Sequence, residues 1–174
     1  TIVIQMSEKT NQTTSSKNVN TEIQEWDDPA LDLRPNILRG IYAFGFEKPS
    51  PIQQKSIKPI IDKKDVIAQA QSGTGKTGCF AIASLALIDY DLDAPQIIIL
   101  APTRELAEQI KKVVDNISQF LDNFSSELLI GGIASDENIR NLKKNPKMLI
   151  GCPGRIYDML QRKFLSPQYI KTIV

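Results

Sequence analysis

The chain has 174 residues, 41% apolar and 24% charged, the balance of one globular domain. No run approaches the roughly 20 apolar residues of a bilayer span, no basic-then-apolar leader opens the chain, and Cys79 and Cys152 lack metal-ligand spacing in a sequence without histidine; no membrane span, secretory leader, zinc site or Ser-His-Asp hydrolase is expected. The net charge of +1 divides into an acidic start, two basic against five acidic side chains over residues 1–30, and a body of +4, too mild a bias to indicate nucleic-acid binding by itself.

In chain order, the first twenty or so residues are dominated by Ser, Thr, Asn, Gln and Lys and cannot bury enough surface to offset the entropy of ordering, which predicts a flexible tail over residues 1–25. The TIVIQ run before Met6 reads either as residues upstream of the native start or as a β-prone beginning. From about Leu31 short apolar runs recur: Asp65 to Ala70, Gln96 to Ala101, Glu127 to Ile130, Met148 to Gly151 and Ile170 to Val174. Their length and near-continuous apolar character predict strands covered on both faces. Helical patterns lie between them. The clearest follows Thr103, where Leu106, Ile110, Val113, Val114, Ile117 and Leu121 recur at three- and four-residue steps among charged residues. Alternating strands and helices indicate right-handed βαβ crossovers, hence an α/β domain whose parallel sheet lies between two helical layers. Ligands of such sheets bind at the carboxyl ends of the strands, so the turns after each strand are the places to search.

The first such turn is Ala70-Gln71-Ser72-Gly73-Thr74-Gly75-Lys76-Thr77, followed by a run from Cys79 to Ile88 apolar enough for a buried helix. Its glycines let successive N–H groups point inward, the helix start adds partial positive charge, Lys76 adds a full one, and the Thr77 hydroxyl can ligate Mg²⁺. This is a triphosphate cradle of the P-loop NTPase kind. It departs from the strict pattern at Ala70, where glycine is usual, and the strand before and helix after it restore the match.

The later turns each have a bland reading. Pro102-Thr103-Arg104-Glu105 suits an N-cap by Thr103; Gly131-Gly132 is either a simple turn or a place where another backbone approaches closely; Gly151-Cys152-Pro153-Gly154-Arg155 opens a helix with a cation. Together they change meaning. Four strand ends on one edge each present glycine, a helix start or a cation, and one is committed to a triphosphate. A second, extended polyanion along that edge, single-stranded nucleic acid, would account for the rest through phosphate and sugar contacts.

Taken in order, Gly45-Phe46-Glu47-Lys48-Pro49-Ser50-Pro51-Ile52-Gln53, Ala70 to Thr77, Pro102 to Ala107, Gly131-Gly132 and Pro153-Gly154-Arg155 resemble the first RecA-like domain of DEAD-box RNA helicases, over roughly residues 26–174 and most closely of the translation initiation factor 4A type. The resemblance implies an ATP-dependent RNA helicase with ATP and Mg²⁺ as cofactors. Gln53 would read adenine, Lys48 and Pro49 would line the base pocket, and residues 70–77 would hold the phosphates, with Lys76 and Thr77 the catalytic candidates and Thr77 a metal ligand. Pro102, Thr103, Arg104, Gly131, Gly132, Cys152, Pro153, Gly154 and Arg155 would track the RNA backbone. Scaffold or regulatory protein partners and a cytoplasmic or nuclear location are implied, and no membrane.

Three departures from the family pattern bear on function. An aromatic is usual seventeen residues before the glycine matching Gly45, where this chain has Asp28; Trp26 comes two residues earlier, and an insertion around Pro29 to Pro35 would let it reach the base. Cys152 stands where threonine is usual, removing a hydroxyl donor worth about 0.5–1.5 kcal/mol. The Asp-Glu-Ala-Asp that names the family does not occur in the 174 residues, so the chain is expected to be a fragment with little ATP turnover of its own. An ATP-gated RNA clamp with suppressed hydrolysis is the alternative; a small P-loop kinase or GTPase would need a lid or a guanine-reading Asn-Lys-x-Asp, and the sequence shows neither. Lys143, Lys144, Arg162 and Lys163 read as a solvated face.

Overall fold

The computed structural model describes residues 2–6 and 22–174. Its elements run β1 (Ile2–Met6), a short 3-10 turn (Pro29–Leu31), α1 (Pro35–Ala43), α2 (Pro51–Ile61), β2 (Val66–Ala68), α3 (Lys76–Leu87), β3 (Ile97–Leu100), α4 (Arg104–Ser118), β4 (Ser126–Leu129), α5 (Ser135–Leu142), β5 (Met148–Gly151), α6 (Pro153–Gln161) and β6 (Thr172–Ile173). Most of the tail expected over residues 1–25 lies outside the described residues. Its two ends differ from the expectation: Ile2–Met6 form a strand, residues 2–4 pairing with β2 and 5–6 with β6, and Ile23 is buried with its N–H donated to the Gln54 carbonyl. Among the described residues no helix is long and apolar enough to cross a membrane.

The sheet runs β2-β1-β6-β3-β5-β4, with β6, β3, β5 and β4 parallel and β1 antiparallel to both its neighbours. Alternation along the strands divides the core in two. Ile97 and Ile99 of β3 and Met148 and Ile150 of β5 face one cluster, against Ile41, Ile57, Ile82 and Val114 from α1 to α4; Ile98 and Leu149 face another, against Leu142, Ile156 and Met159 from α5 and α6. For β3 and β5 this is the three-layer arrangement predicted by strands apolar on both faces; β2 and β6 differ from that expectation, with Ile67 76% and Ile173 43% exposed.

Register carries the strand ends to one level. Leu100 lies opposite Gly151, and Gly151 opposite Leu129. On the other side, Ile98 pairs with Ile173, Ile173 with Gln5, and Ile2 with Ala68, which sets the end of β2 level with residue 101. The turns after β2, β3, β4 and β5 therefore share an edge.

Local chemistry begins the helices at that edge. Thr103 caps α4 by accepting from the Leu106 N–H at 3.2 Å, with Glu105 in the first turn, and α6 starts on Pro153, whose missing N–H is an orphan position anyway. Below, α1 crosses α4 at Gly40, where an added Cβ would overlap the Ile117 carbonyl oxygen. Gly40→Ala should therefore destabilise by about 1–3 kcal/mol, against the gain of up to about 1 kcal/mol that alanine brings to an open helix. A thermal melt should show a loss of several degrees.

Candidate functional site

The phosphate loop leaves β2 and enters α3, a helix buried nearly all round from Gly78 to Leu85. Gly73 and Gly75 take φ of +79° and +90°, the reversals that turn neighbouring N–H groups toward one concave side. Thr74 Oγ1 donates to the Gln71 carbonyl at 2.8 Å. Lys76 Nζ donates to the Ala70 carbonyl at 2.7 Å and to the Gln71 carbonyl, so the ammonium is held by carbonyls of its own loop. Gln71, Ser72 and Gly73 are exposed and a Cβ at Gly73 would meet nothing, so the loop mouth is open. The Thr77 hydroxyl is half-buried in the first turn of α3 and has no hydrogen-bond partner among the described residues. A hard oxygen donor free beside a lysine and a helix start fits magnesium bound with a phosphate chain.

Behind the loop, Gln53 is 2% exposed. Its Oε1 accepts from the Ser50 N–H at 2.7 Å in a capping box that starts α2, and its Nε2 donates to the Gly75 carbonyl at 3.1 Å. Ser50 Oγ donates to the Thr74 carbonyl at 2.8 Å. Two side chains at the start of α2 thus clamp the loop. An added Cβ at Gly75 would lie 2.8 Å from Gln53 Nε2, and one at Gly78 2.6 Å from the Phe46 ring, so both glycines make room for this clamp.

The base-pocket residues are less gathered. Pro49 is buried, whereas Lys48 is exposed and paired with Glu25 at 2.9 Å; this bond raises the ammonium's pKa. Trp26 is fully buried, its ring stacked on Phe46 at a centroid distance of 6.2 Å, and Nε1 has no hydrogen-bond partner among the described residues. Here apolar packing holds the indole in the core, and the expected route to a bound base through the Pro29 to Pro35 insertion is not taken.

The other three turns form an open cavity of about 470 Å³ lined by Pro102, Thr103, Arg104, Gly131, Cys152, Gly154, Arg155 and Asp158. The glycine pair has a specific role. A Cβ at Gly131 would lie 2.7 Å from Arg104 Nη2 and one at Gly132 3.0 Å from Nη1, so the guanidinium rests on the bare backbone. A Cβ at Gly154 would meet nothing of this chain. Arg155 Nη1 donates to Asn138 Oδ1 at 2.8 Å and Nη2 to the Ile133 carbonyl at 3.0 Å. Cys152 occupies the N-cap of α6 without a side-chain cap bond. Two residues join the site that the sequence motifs give no role: Asp158 in the groove and Ser50 at the loop, the latter marked by a capping-box pattern three residues before Gln53 and next to Pro51. Lys143, Lys144, Arg162 and Lys163 are exposed, as expected.

A triphosphate cradle level with a cation-lined, glycine-floored groove on a three-layer sheet is the layout of a helicase motor domain. The profile of the DEAD/DEAH box helicase family matches residues 50–174, and the chain belongs to that family. It is 50% identical over 145 residues to the ATP-dependent RNA helicase eIF4A of Aspergillus oryzae, covering 83% of this chain and 34% of the relative, and 51% identical over 144 residues to that of Neurospora crassa, covering 83% and 36%. The chain spans about a third of the length of these curated relatives. Among solved structures it resembles a DEAD box protein from the hyperthermophile Methanococcus jannaschii, with TM-score 0.79, 36% identity and 86% of this chain against 40% of that one. It also resembles S. cerevisiae Dbp5 bound to RNA and ADP BeF3, with TM-score 0.75, 36% identity and coverage of 86% and 37%.

Two substitutions probe the two halves. Gln53→Glu keeps an oxygen for the Ser50 N–H and loses the donor to the Gly75 carbonyl, and should destabilise by about 1–3 kcal/mol, read as a lower unfolding midpoint. Gly131→Ala should push the Arg104 guanidinium off its seat on the bare backbone, read as a shift of its side-chain NMR resonances.

Proposed function

We propose that this chain is the ATP- and RNA-gripping first lobe of an ATP-dependent RNA helicase of the translation initiation factor 4A kind, and that hydrolysis and duplex separation belong to a longer protein. The observation that carries the reading is the shared edge: the loop after β2 and the groove after β3, β4 and β5 stand at one level, with three strand spacings, about 14 Å, from β2 to β3. Two anions can lie side by side there. The family and the RNA and ADP BeF3 held by Dbp5 support the choice of ligands.

A nucleotide's phosphates would replace the Ala70 and Gln71 carbonyls as partners of Lys76, which binds and orients them without altering the α3 start. Thr77 would hold Mg²⁺, which supplies charge neutralisation at the phosphates. Gln53 and Ser50 couple the loop to α2, so a change in loop shape is felt in the segment Glu47 to Ser50, where the base would sit. Arg104, the α4 and α6 starts and Arg155 would contact RNA phosphates, and contacts of this kind carry no base sequence. Regulatory protein partners and a cytoplasmic or nuclear setting follow from that role.

Lys76→Ala should reduce affinity for a non-hydrolysable ATP analogue by roughly 10- to 100-fold, the loss of a charge-assisted bond. RNA binding is read at Cys152. Burial pushes the Cys79 thiol up to about 12, so it stays protonated at pH 8, while Cys152 is half-buried on the groove. Maleimide should therefore label Cys152 and spare Cys79, and oligouridine should slow that labelling. Labelling that oligouridine leaves unchanged would contradict an RNA-filled groove.

A further inference from the structure

The Arg155 guanidinium is fastened by a side-chain and a backbone acceptor together, and both acceptors are neutral: the Asn138 carboxamide oxygen at 2.8 Å and the Ile133 carbonyl at 3.0 Å. Asn138 is fully buried on α5, and its other end is equally engaged. Nδ2 donates to Glu127 Oε1 at 3.0 Å and to the Leu128 carbonyl at 3.1 Å, and Asn141 Nδ2 donates to the same Glu127 oxygen at 3.2 Å. The carboxylate on β4 thus stands one hydrogen-bonded group behind the guanidinium. A carboxamide suits the place between them, since it accepts from the cation with one atom and donates to the anion with the other. The carboxylate that shares the groove, Asp158, lies 3.4 Å from Arg162.

We propose that Asn138 is a positioning residue for RNA binding: it fixes the Arg155 guanidinium in the groove wall while keeping the Glu127 carboxylate off it, so that Arg155 meets an RNA phosphate with its charge un-neutralised. The inference rests on the groove binding RNA. An aspartate at 138 would hold Arg155 with similar geometry and cancel its charge directly, and it would also face Glu127 with no proton to donate. The paired change Asn138→Asp with Glu127→Gln removes that conflict. It restores the cluster's net charge and gives residue 127 an amide to donate, but leaves the negative charge on the guanidinium.

The test is anisotropy of a labelled oligouridine on the 174-residue chain over a salt series, with thermal melting of each variant and Arg155→Ala for reference. The double variant is expected to melt some degrees below the unsubstituted chain, because the Leu128 carbonyl loses its donor, and, where folded, to bind roughly three- to tenfold more weakly and lose about 0.7 from the log–log salt slope, the amount of one phosphate contact on a single strand. Glu127→Gln alone keeps an oxygen for both asparagines and should retain the full slope; a loss to the Arg155→Ala level would overturn the proposal, and this holds even where the double variant does not fold. A folded double variant that binds with the original affinity and slope, while Arg155→Ala weakens binding, would overturn the role of Asn138 alone. No oligouridine binding by the unsubstituted chain would overturn the function proposed above and this inference with it.

Discussion

A parallel strand that feeds a helix leaves both its own last carbonyls and the helix's first N–H groups at the same end of the sheet. Repeated at β2–α3, β3–α4 and β5–α6, this geometry collects amide donors and helix-start potential along one rim without a single charged residue. Lys76, Arg104 and Arg155 add full charges to a rim already favourable to anions. The domain therefore needs no strong overall charge: its net +1 is compatible with gripping two polyanions because the relevant field is local.

The site is rigid where its own side chains are mutually satisfied and open where they are not. Gln53 and Ser50 are fully engaged with the backbone of the phosphate loop, and Asn138 is fully engaged with Arg155, Glu127 and Leu128. Such saturated carboxamides are costly to replace, because any substitute leaves a buried donor or acceptor unpaired. The Thr77 hydroxyl and the space above Gly73 and Gly154 contrast with them, and these are the places where a ligand has room and unspent donors.

Much of this was legible in the residues. The strands from Ile97 and Met148 fall inside the predicted runs because continuous apolar segments are covered on both faces there, the strand from Thr172 falls inside its run with one face exposed at Ile173, and α4 follows its apolar stripe. The phosphate loop is local in sequence, so its chemistry could be read directly. What could not be read depends on contacts between distant segments. The seat that Gly131 and Gly132 give Arg104 joins residues more than two dozen positions apart, and no spacing rule connects Asn138 to Arg155. The antiparallel entry of Ile2–Met6 between β2 and β6 was likewise invisible, since a β-prone pentapeptide does not name its partners. Trp26 shows the opposite failure: a residue type suited to stacking on a base packs on Phe46 because burial of a large apolar ring is favourable wherever it is available.

The most direct measurement is a pair of amide chemical-shift titrations on the isotopically labelled chain, one with magnesium and a non-hydrolysable ATP analogue, the other with oligouridine. The expected result is two separate sets of perturbed amides: residues 70–78 with Ser50 and Gln53 for the nucleotide, and residues 103–106, 131–133 and 152–155 for the RNA. Perturbation of the same residues by both ligands, or of none in either titration, would contradict two adjacent anion sites on one sheet edge.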